Sequence, residues 1–496
     1  MKISLSTTII PLLLSGVGAS LASILDGNNR AKKHLRSRSN PITGANANAT
    51  AIATASADAD VEAGRSITAM SASSRALSVA LPEDFDWHQI GHTIIGEAYL
   101  DLAGKGLSIS DDGSIVAIGA IDNDGESGLV DNDQGHVRVY KYDTNTDTWN
   151  QIGTDIDGII AEDQFGWAVS LSGNGLCVAV GVPYNDNANN EDIGRVQIFE
   201  YNGIDWVQRG NQIFGEAAGD LSGFSISMVY DGSMVALGAP QRDGANGERS
   251  GYTRIFEWIG TQWLQKGNDI DGEASFDLYG YSVNLSGDGS SIATGAIFNE
   301  GVNGVKSGHV RVHKWDGDEW VQRGSDIDGE YYFDEIGYSV SLSYFGDVVA
   351  VGAPVACVEK GAAQVFYWDG GAWMQRGDQF LGLNYYNELG TSVSISNDGN
   401  RVAIGVPGGD GNATHQKINS GHCKTYEWTG SDWKEMGSII YGESTGDVFG
   451  TTVAISGDGT HLAIGTPNYG QTIEGDNGFF GAVQIFEFRG KNTSIV

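Results

Sequence analysis

Basic residues are scarce in this chain. Its 496 residues hold 29 Lys and Arg against 63 Asp and Glu, a formal net charge of −34 at pH 7. A field of that sign repels nucleic acid and anionic membrane surfaces and draws in cations, so neither is an expected partner. Cysteine is scarcer still: Cys177, Cys357 and Cys423 are too few for a disulfide scaffold. Cys177 takes an aliphatic position in a strand and reads as a buried thiol. Cys357 and Cys423 fall at strand ends on one face of adjacent repeats, so a Cys357–Cys423 bridge is an expectation for the structure to decide. No apolar run after residue 81 is long enough to span a bilayer. HExxH, a Walker loop and a dinucleotide fingerprint are also missing. The chain is therefore read as a non-enzyme, with no cofactor required.

What is present is repetition. Trp87, Trp149, Trp206, Trp263, Trp320, Trp373 and Trp433 are spaced 62, 57, 57, 57, 53 and 60 residues apart. A period of this size marks a solenoid or a propeller. Each copy holds four β signals, shown in the fourth by the runs beginning at Trp263, Tyr281, Ser291 and His309. Val, Ile, Thr and aromatics alternate within the runs, and Gly, Asp, Asn and Ser separate them. A tight turn lies between the second and third runs of each copy, as at Asp112-Gly113, Asn174-Gly175 and Asp288-Gly289. Asp-Gly and Asn-Gly accept the positive φ of a two-residue hairpin turn.

The fold class expected is all-β: a seven-bladed β-propeller of four-stranded blades. The last copy ends at Ala482 to Phe488 with no Trp run after it, and the first Trp run, at Trp87, has no blade before it. If the Trp run is the outermost strand, residues 85–95 complete the last blade, and an N-terminal outer strand closes the ring. Residues 1–22, with Lys2, an apolar core from Ile9 to Leu14 and small residues after it, read as a signal peptide. Residues 23–81 read as a basic, then Ala/Ser/Thr-rich, disordered linker, 82–490 as the propeller and 491–496 as a tail. The product is expected to be secreted, extracellular and monomeric.

Several positions are candidates for chemistry. An acid three residues before a Gly recurs ahead of each inner run, at Asp101, Asp163, Asp220, Asp277, Asp334 and Asp447, with Asn387 in the sixth copy. These seven either bind a ligand as a ring at one channel mouth or accept backbone N–H groups in a turn, as Asn also does. The long loop of the first copy holds Asp122, Asp124, Glu126, Asp131 and Asp133, oxygen ligands of the kind calcium takes. Calcium is accordingly a possible ion there. Sequons at Asn48, Asn412 and Asn492 are candidate glycosylation sites, and Asn284 is set aside because it falls inside a predicted inner strand.

These residues resemble FG-GAP repeats, the units of integrin-alpha-type seven-bladed propellers. The matching pieces are Phe165-Gly166 and Phe449-Gly450, each followed by a strand, with Gly238-Ala-Pro240, Gly352-Ala-Pro354, Gly181-Val-Pro183, Gly405-Val-Pro407 and Gly465-Thr-Pro467 after them. The likeness covers residues 85–488. Calcium loops of that family lie where this chain has turns such as Ser286-Gly-Asp-Gly289, too short to enclose an ion, so calcium is not carried over from it. The resemblance implies extracellular recognition and adhesion without catalysis. The expected function is binding of an extracellular protein or glycan through the loop face. A lectin with inter-blade sites, or a polysaccharide-acting propeller enzyme, is the alternative.

Overall fold

The computed structural model describes residues 85–124, 133–186, 191–301, 303–411, 417–470 and 479–491. Blade four shows the plan. Its inner strand Tyr279–Leu285 pairs with Ser291–Ala296, which pairs with His309–Trp315. The outer position holds two short pieces in tandem, Trp320–Gln322 and Ile327–Asp328, both antiparallel to the third strand. Seven such sheets occur, each four strands deep. The seventh is completed from the other end of the chain: Phe85–Gln89 pairs with Ala482–Gly490, with Trp87 opposite Phe488, and Ile94–Ile95 follows in line. The ring is closed by the N-terminal strand, as expected.

Burial explains the composition of the second strands. Ile115–Ala120, Cys177–Val182, Met234–Ala239 and Val348–Ala353 are buried at every residue, because a neighbouring blade covers each face. A strand covered on both sides reads as a continuous apolar run rather than an alternating one. The core is accordingly seven separate layers. One layer, for example, joins Val137 and Val139 of blade one to Val178 and Val180 of blade two.

Two contacts bind each blade to the next. The first is backbone against backbone. A Cβ on Gly295 would lie 2.0 Å from the carbonyl oxygen of Gly337 in blade five, and Gly337 itself holds φ +92. The same clash would arise between Gly181 and Gly223, and between Gly405 and Gly450. This is why both halves of the repeat need glycine: the two chains touch there, and one adopts a conformation L side chains avoid. The second contact is the indole N–H of each repeated Trp, which donates to the carbonyl three residues beyond the previous blade's Trp. Trp149 donates to Ile90 (3.1 Å), Trp206 to Ile152 (2.8 Å), Trp263 to Arg209 (2.8 Å) and Trp320 to Lys266 (2.9 Å). Trp373 donates to Arg323 (2.7 Å), Trp433 to Arg376 (2.6 Å) and Trp87 to Met436 (3.0 Å).

Two sequence expectations change in detail. The inner hairpin turns are not two-residue turns. Gly113 N–H donates to Ser110 O and only Gly113 has positive φ, with Asp112 capping Ser114 N–H through its carboxylate. A turn of that kind followed by a left-handed Gly is the longer, bulged hairpin. The Cys357–Cys423 bridge is absent, and all three cysteines are free thiols. Cys423 faces the layer between blades six and seven, whereas Cys357 packs against the layer between blades four and five, so the sheets of blades five and six separate them. Residues 1–84, with the signal peptide and linker, lie outside the described residues, as do Asn48, Asn412 and Asn492.

Trp87 is buried and its indole also donates to Thr425 Oγ1 at 2.8 Å. Replacing it with Ala is expected to cost about 3–5 kcal/mol, the range for a buried Trp in a core. The loss should equal that of Trp320→Ala when both are followed by guanidinium unfolding. A neutral Trp87→Ala variant would show that the N-terminal strand does not close the ring.

Candidate binding face

The two ends of the ring differ. At the end carrying the inner hairpin turns, the turns are tied in a circle by backbone bonds. Asp111 N–H donates to Gly173 O, Asn174 to Tyr230, Tyr230 to Gly287, Asp288 to Tyr344, Tyr344 to Asn397, Asn397 to Gly457 and Gly457 to Asp111. Tyr230 and Tyr344 meet edge to face at 6.1 Å over Gly287, and Asn397 Nδ2 donates to Asp111 Oδ2 at 2.6 Å over Gly457. A Cβ on either glycine would strike those side chains. This end is knit shut. Both classes of long loop, those between blades and those joining the second strand from the axis to the third (as between Ile115–Ala120 and His136–Asp143), emerge at the opposite end.

The recurrent acids lie at that loop end and are buried. Asp101 accepts from Ala98 N–H at 2.8 Å, Asp220 from Glu216 and Ala217 at 2.9 Å, and Asp277 from Ala274 at 2.8 Å. Asp334 accepts from Tyr331 at 2.8 Å and Asp447 from Ser444 at 2.6 Å. Asp163 instead accepts from Asn185 Nδ2 and pairs with Arg195 at 3.2 Å. Asn387 is 4% exposed at the equivalent turn. Five of the seven thus bond backbone N–H groups of their own loop, whereas Asp163 reaches the next loop and strand, and Asp277 also accepts from Asn299 Nδ2 at 3.2 Å. Burial raises the pKa of Asp101, Asp163, Asp220, Asp277 and Asp334, and takes Asp447 to about 6.

In the blade-one loop, Asp122 accepts from Gln164 Nε2 at 3.0 Å. Burial and the neighbouring charge of Asp133 push it up to about 7. Asp124 and Asp133 are half-buried. Glu126 and Asp131 lie outside the described residues. Asn284 holds the inner strands of three blades together, donating to Ser227 and accepting from Leu342 N–H at 2.7 Å. The string Gly442-Glu-Ser-Thr-Gly446 has the spacing of a nucleophile elbow. It sits in a blade-to-blade turn and leads into an inner strand, not a helix.

Sequence reasoning missed the most unequal position around the ring. The residue after the glycine that opens each inner strand is Lys105, Trp167, Phe224, Tyr281, Tyr338, Thr391 or Thr451, all half-buried. Four consecutive blades thus supply aromatics, and neighbouring rings stand 5.5, 5.1 and 5.1 Å apart from Trp167 to Tyr338. Lys105 Nζ caps one end, 4.9 Å from the Trp167 ring. Stacking the seven copies and asking where they disagree would have exposed this column.

The geometry defines a closed seven-bladed β-propeller with one sealed end and one loop end. Residues 157–199, which contain Phe165-Gly166 and Gly181-Val-Pro183, match the family model described as FG-GAP repeat. The chain is thus a seven-bladed propeller carrying an FG-GAP repeat, consistent with the integrin-alpha-type propellers its copies resemble. No curated protein matches it.

Asp447 gives a test of the acids' role. Its charged form is disfavoured in the fold, so a destabilisation present above pH 6 fades as pH falls from about 6 towards 3.8. Asp447→Asn keeps an acceptor for Ser444 and removes the charge, and Asn is the residue that stands at the equivalent position 387. Its stability relative to wild type should be higher at pH 7.5 than at pH 4, measured by denaturant midpoints. An equal difference at both pH values contradicts this.

Proposed function

We propose that the protein is a secreted, non-enzymatic binding propeller that takes an extracellular protein or glycan on its loop face. The observation carrying this is a run of exposed aromatic and apolar side chains on the inter-blade loops leading into blades four, five and six. Phe276, Tyr331, Tyr332, Phe333, Leu383, Tyr385 and Tyr386 are all exposed, Tyr332 at 68% and Leu383 at 73%. The equivalent loops into blades three and seven carry Ala217-Ala-Gly219 and Ser444-Thr-Gly446, whereas those into blades one and two expose the smaller sets Tyr99 with Leu100 and Ile159 with Ile160. Ring closure uses none of the seven, and clustered exposed apolar groups mark interaction sites. Tyr and Phe faces suit both protein partners and sugar rings, and the same segments continue inward to Tyr281 and Tyr338 of the stacked column.

The reading carries further elements. A calcium ion in the blade-one loop, held by Asp122, Asp124 and Asp133, would bring an oxygen-rich site to the same face. Secretion rests on residues 1–22, and glycans at Asn48, Asn412 and Asn492 fit that route. The lectin form is tested on a glycan array, with calcium and then with EDTA. Protein partners are tested by cross-linking to extracellular material. In whichever assay the wild type binds, the double variant Tyr332→Ala/Tyr385→Ala is expected to lose at least tenfold in affinity. Unchanged binding by that variant contradicts the proposed face.

A further inference from the structure

Among the described residues, two blades bring a Glu, a His and an Asp together at one station. Glu97, His136 and Asp155 do so in blade one, and Glu273, His309 and Asp326 in blade four, with the ligating atoms of each set within 4.8 Å of one another. The three residues come from an inter-blade loop, the start of the third strand and the turn inside the outer strand. In blade four, Glu273 and Asp326 border a cavity of about 390 Å³, lined also by Asp277, Asn299, Glu300 and Asp328, with His309 buried behind Asp326.

Acidic surfaces are common, and His309 separates this one from them. It is 1% exposed, and neither ring nitrogen has a hydrogen-bond partner. Its Nδ1 faces Asp326 Oδ2 at 3.5 Å, too far for a good bond. Asp277 and Asp328 carry further carboxylates near it. A buried imidazole with no partner, enclosed by carboxylates, is a metal ligand in waiting. Leaving both nitrogens unpaired would otherwise cost stability for no gain.

We propose that Glu273, His309 and Asp326 bind a divalent transition-metal ion, with Asp277, Asn299 and Asp328 around them. A nitrogen donor among carboxylates selects the zinc, cobalt or manganese class over calcium, which takes oxygen alone. Bonds of about 2.0–2.2 Å set neighbouring ligand atoms about 3.0–3.5 Å apart, so the three side chains close in on the ion from separations of up to 4.8 Å. Arg311 is the competitor. Its Nε lies 3.2 Å from Asp326 Oδ1 and its Nη2 pairs with Glu273. An incoming ion displaces the guanidinium from both carboxylates. Blade three supplies a contrast: Glu216 and Asp269 hold Arg254 there, but Tyr252 replaces the His.

The opposed effects of His309 and Arg311 test the site. Co²⁺ is titrated into the full-length protein carrying His136→Ala, which silences blade one, and the visible absorption of the bound ion is followed. Binding is expected, weakened at least tenfold by His309→Ala and tightened several-fold by Arg311→Gln. Asp326→Asn replaces His309→Ala if the latter does not fold. A merely structural ion pair would give Arg311→Gln no gain. Absence of Co²⁺ binding at millimolar concentration, or binding indifferent to His309 and Asp326, overturns the proposal, and failure of Arg311→Gln to tighten binding overturns the displacement.

Discussion

The structure depends on the indole N–H that reaches from each blade to the one before it. Taken alone, one such bond contributes about 1 kcal/mol net. The ring that carries it buries on the order of 200 Å², about 5 kcal/mol of apolar burial at the usual coefficient. Packing therefore supplies the strength, and the bond sets where each Trp points. Opposite every one of these Trp residues stands an aromatic of the third strand, from Tyr142 against Trp149 at 5.1 Å to Trp368 against Trp373 at 5.5 Å. Arg209, Arg323 and Arg376 of the previous blade lie over three of these pairs, each 4.8 Å from the first ring. The recurrent cations of the outer strands are thus part of the joint between blades and lie away from the loops.

This arrangement leaves the two ends of the ring with different freedom. The sealed end has every inner turn bonded to its neighbours, and its glycines are boxed in by Tyr344 and Asn397. At the loop end, the buried acids bond within their own blade, and the side chains beyond them answer to no closure requirement. Difference between copies accumulates there. The aromatic loops of blades four to six, the stacked column from Trp167 to Tyr338 and the His309 station are all of this kind.

Much of the fold was legible because its causes are local. The Trp period, the Gly-containing turns and the unpaired ends of the repeat array implied seven blades and a closing N-terminal strand. The glycine pairs of the repeat were visible as a pattern, but their reason was not, since Gly295 and Gly337 meet only across a blade boundary. Cys357 and Cys423 looked close because strand ends share a face, and the layer each thiol enters cannot be read from its neighbours in sequence. The His309 station was equally hidden. Glu273, His309 and Asp326 are distant in the chain: pairing of His309–Trp315 with the split outer strand joins His309 to Asp326, and the loop into the inner strand brings Glu273 to them.

The closed ring itself is tested most directly by hydrogen exchange at the indole protons, read by ¹⁵N–¹H correlation on the labelled protein. The chain has 12 Trp. The seven that bridge blades, Trp87 among them, should exchange slowly and together. Trp167, Trp258, Trp315, Trp368 and Trp428, whose indoles make no such bridge among the described residues, should exchange fast. Rapid exchange at Trp87 with the other six protected would contradict closure and place an open seam between blades six and seven.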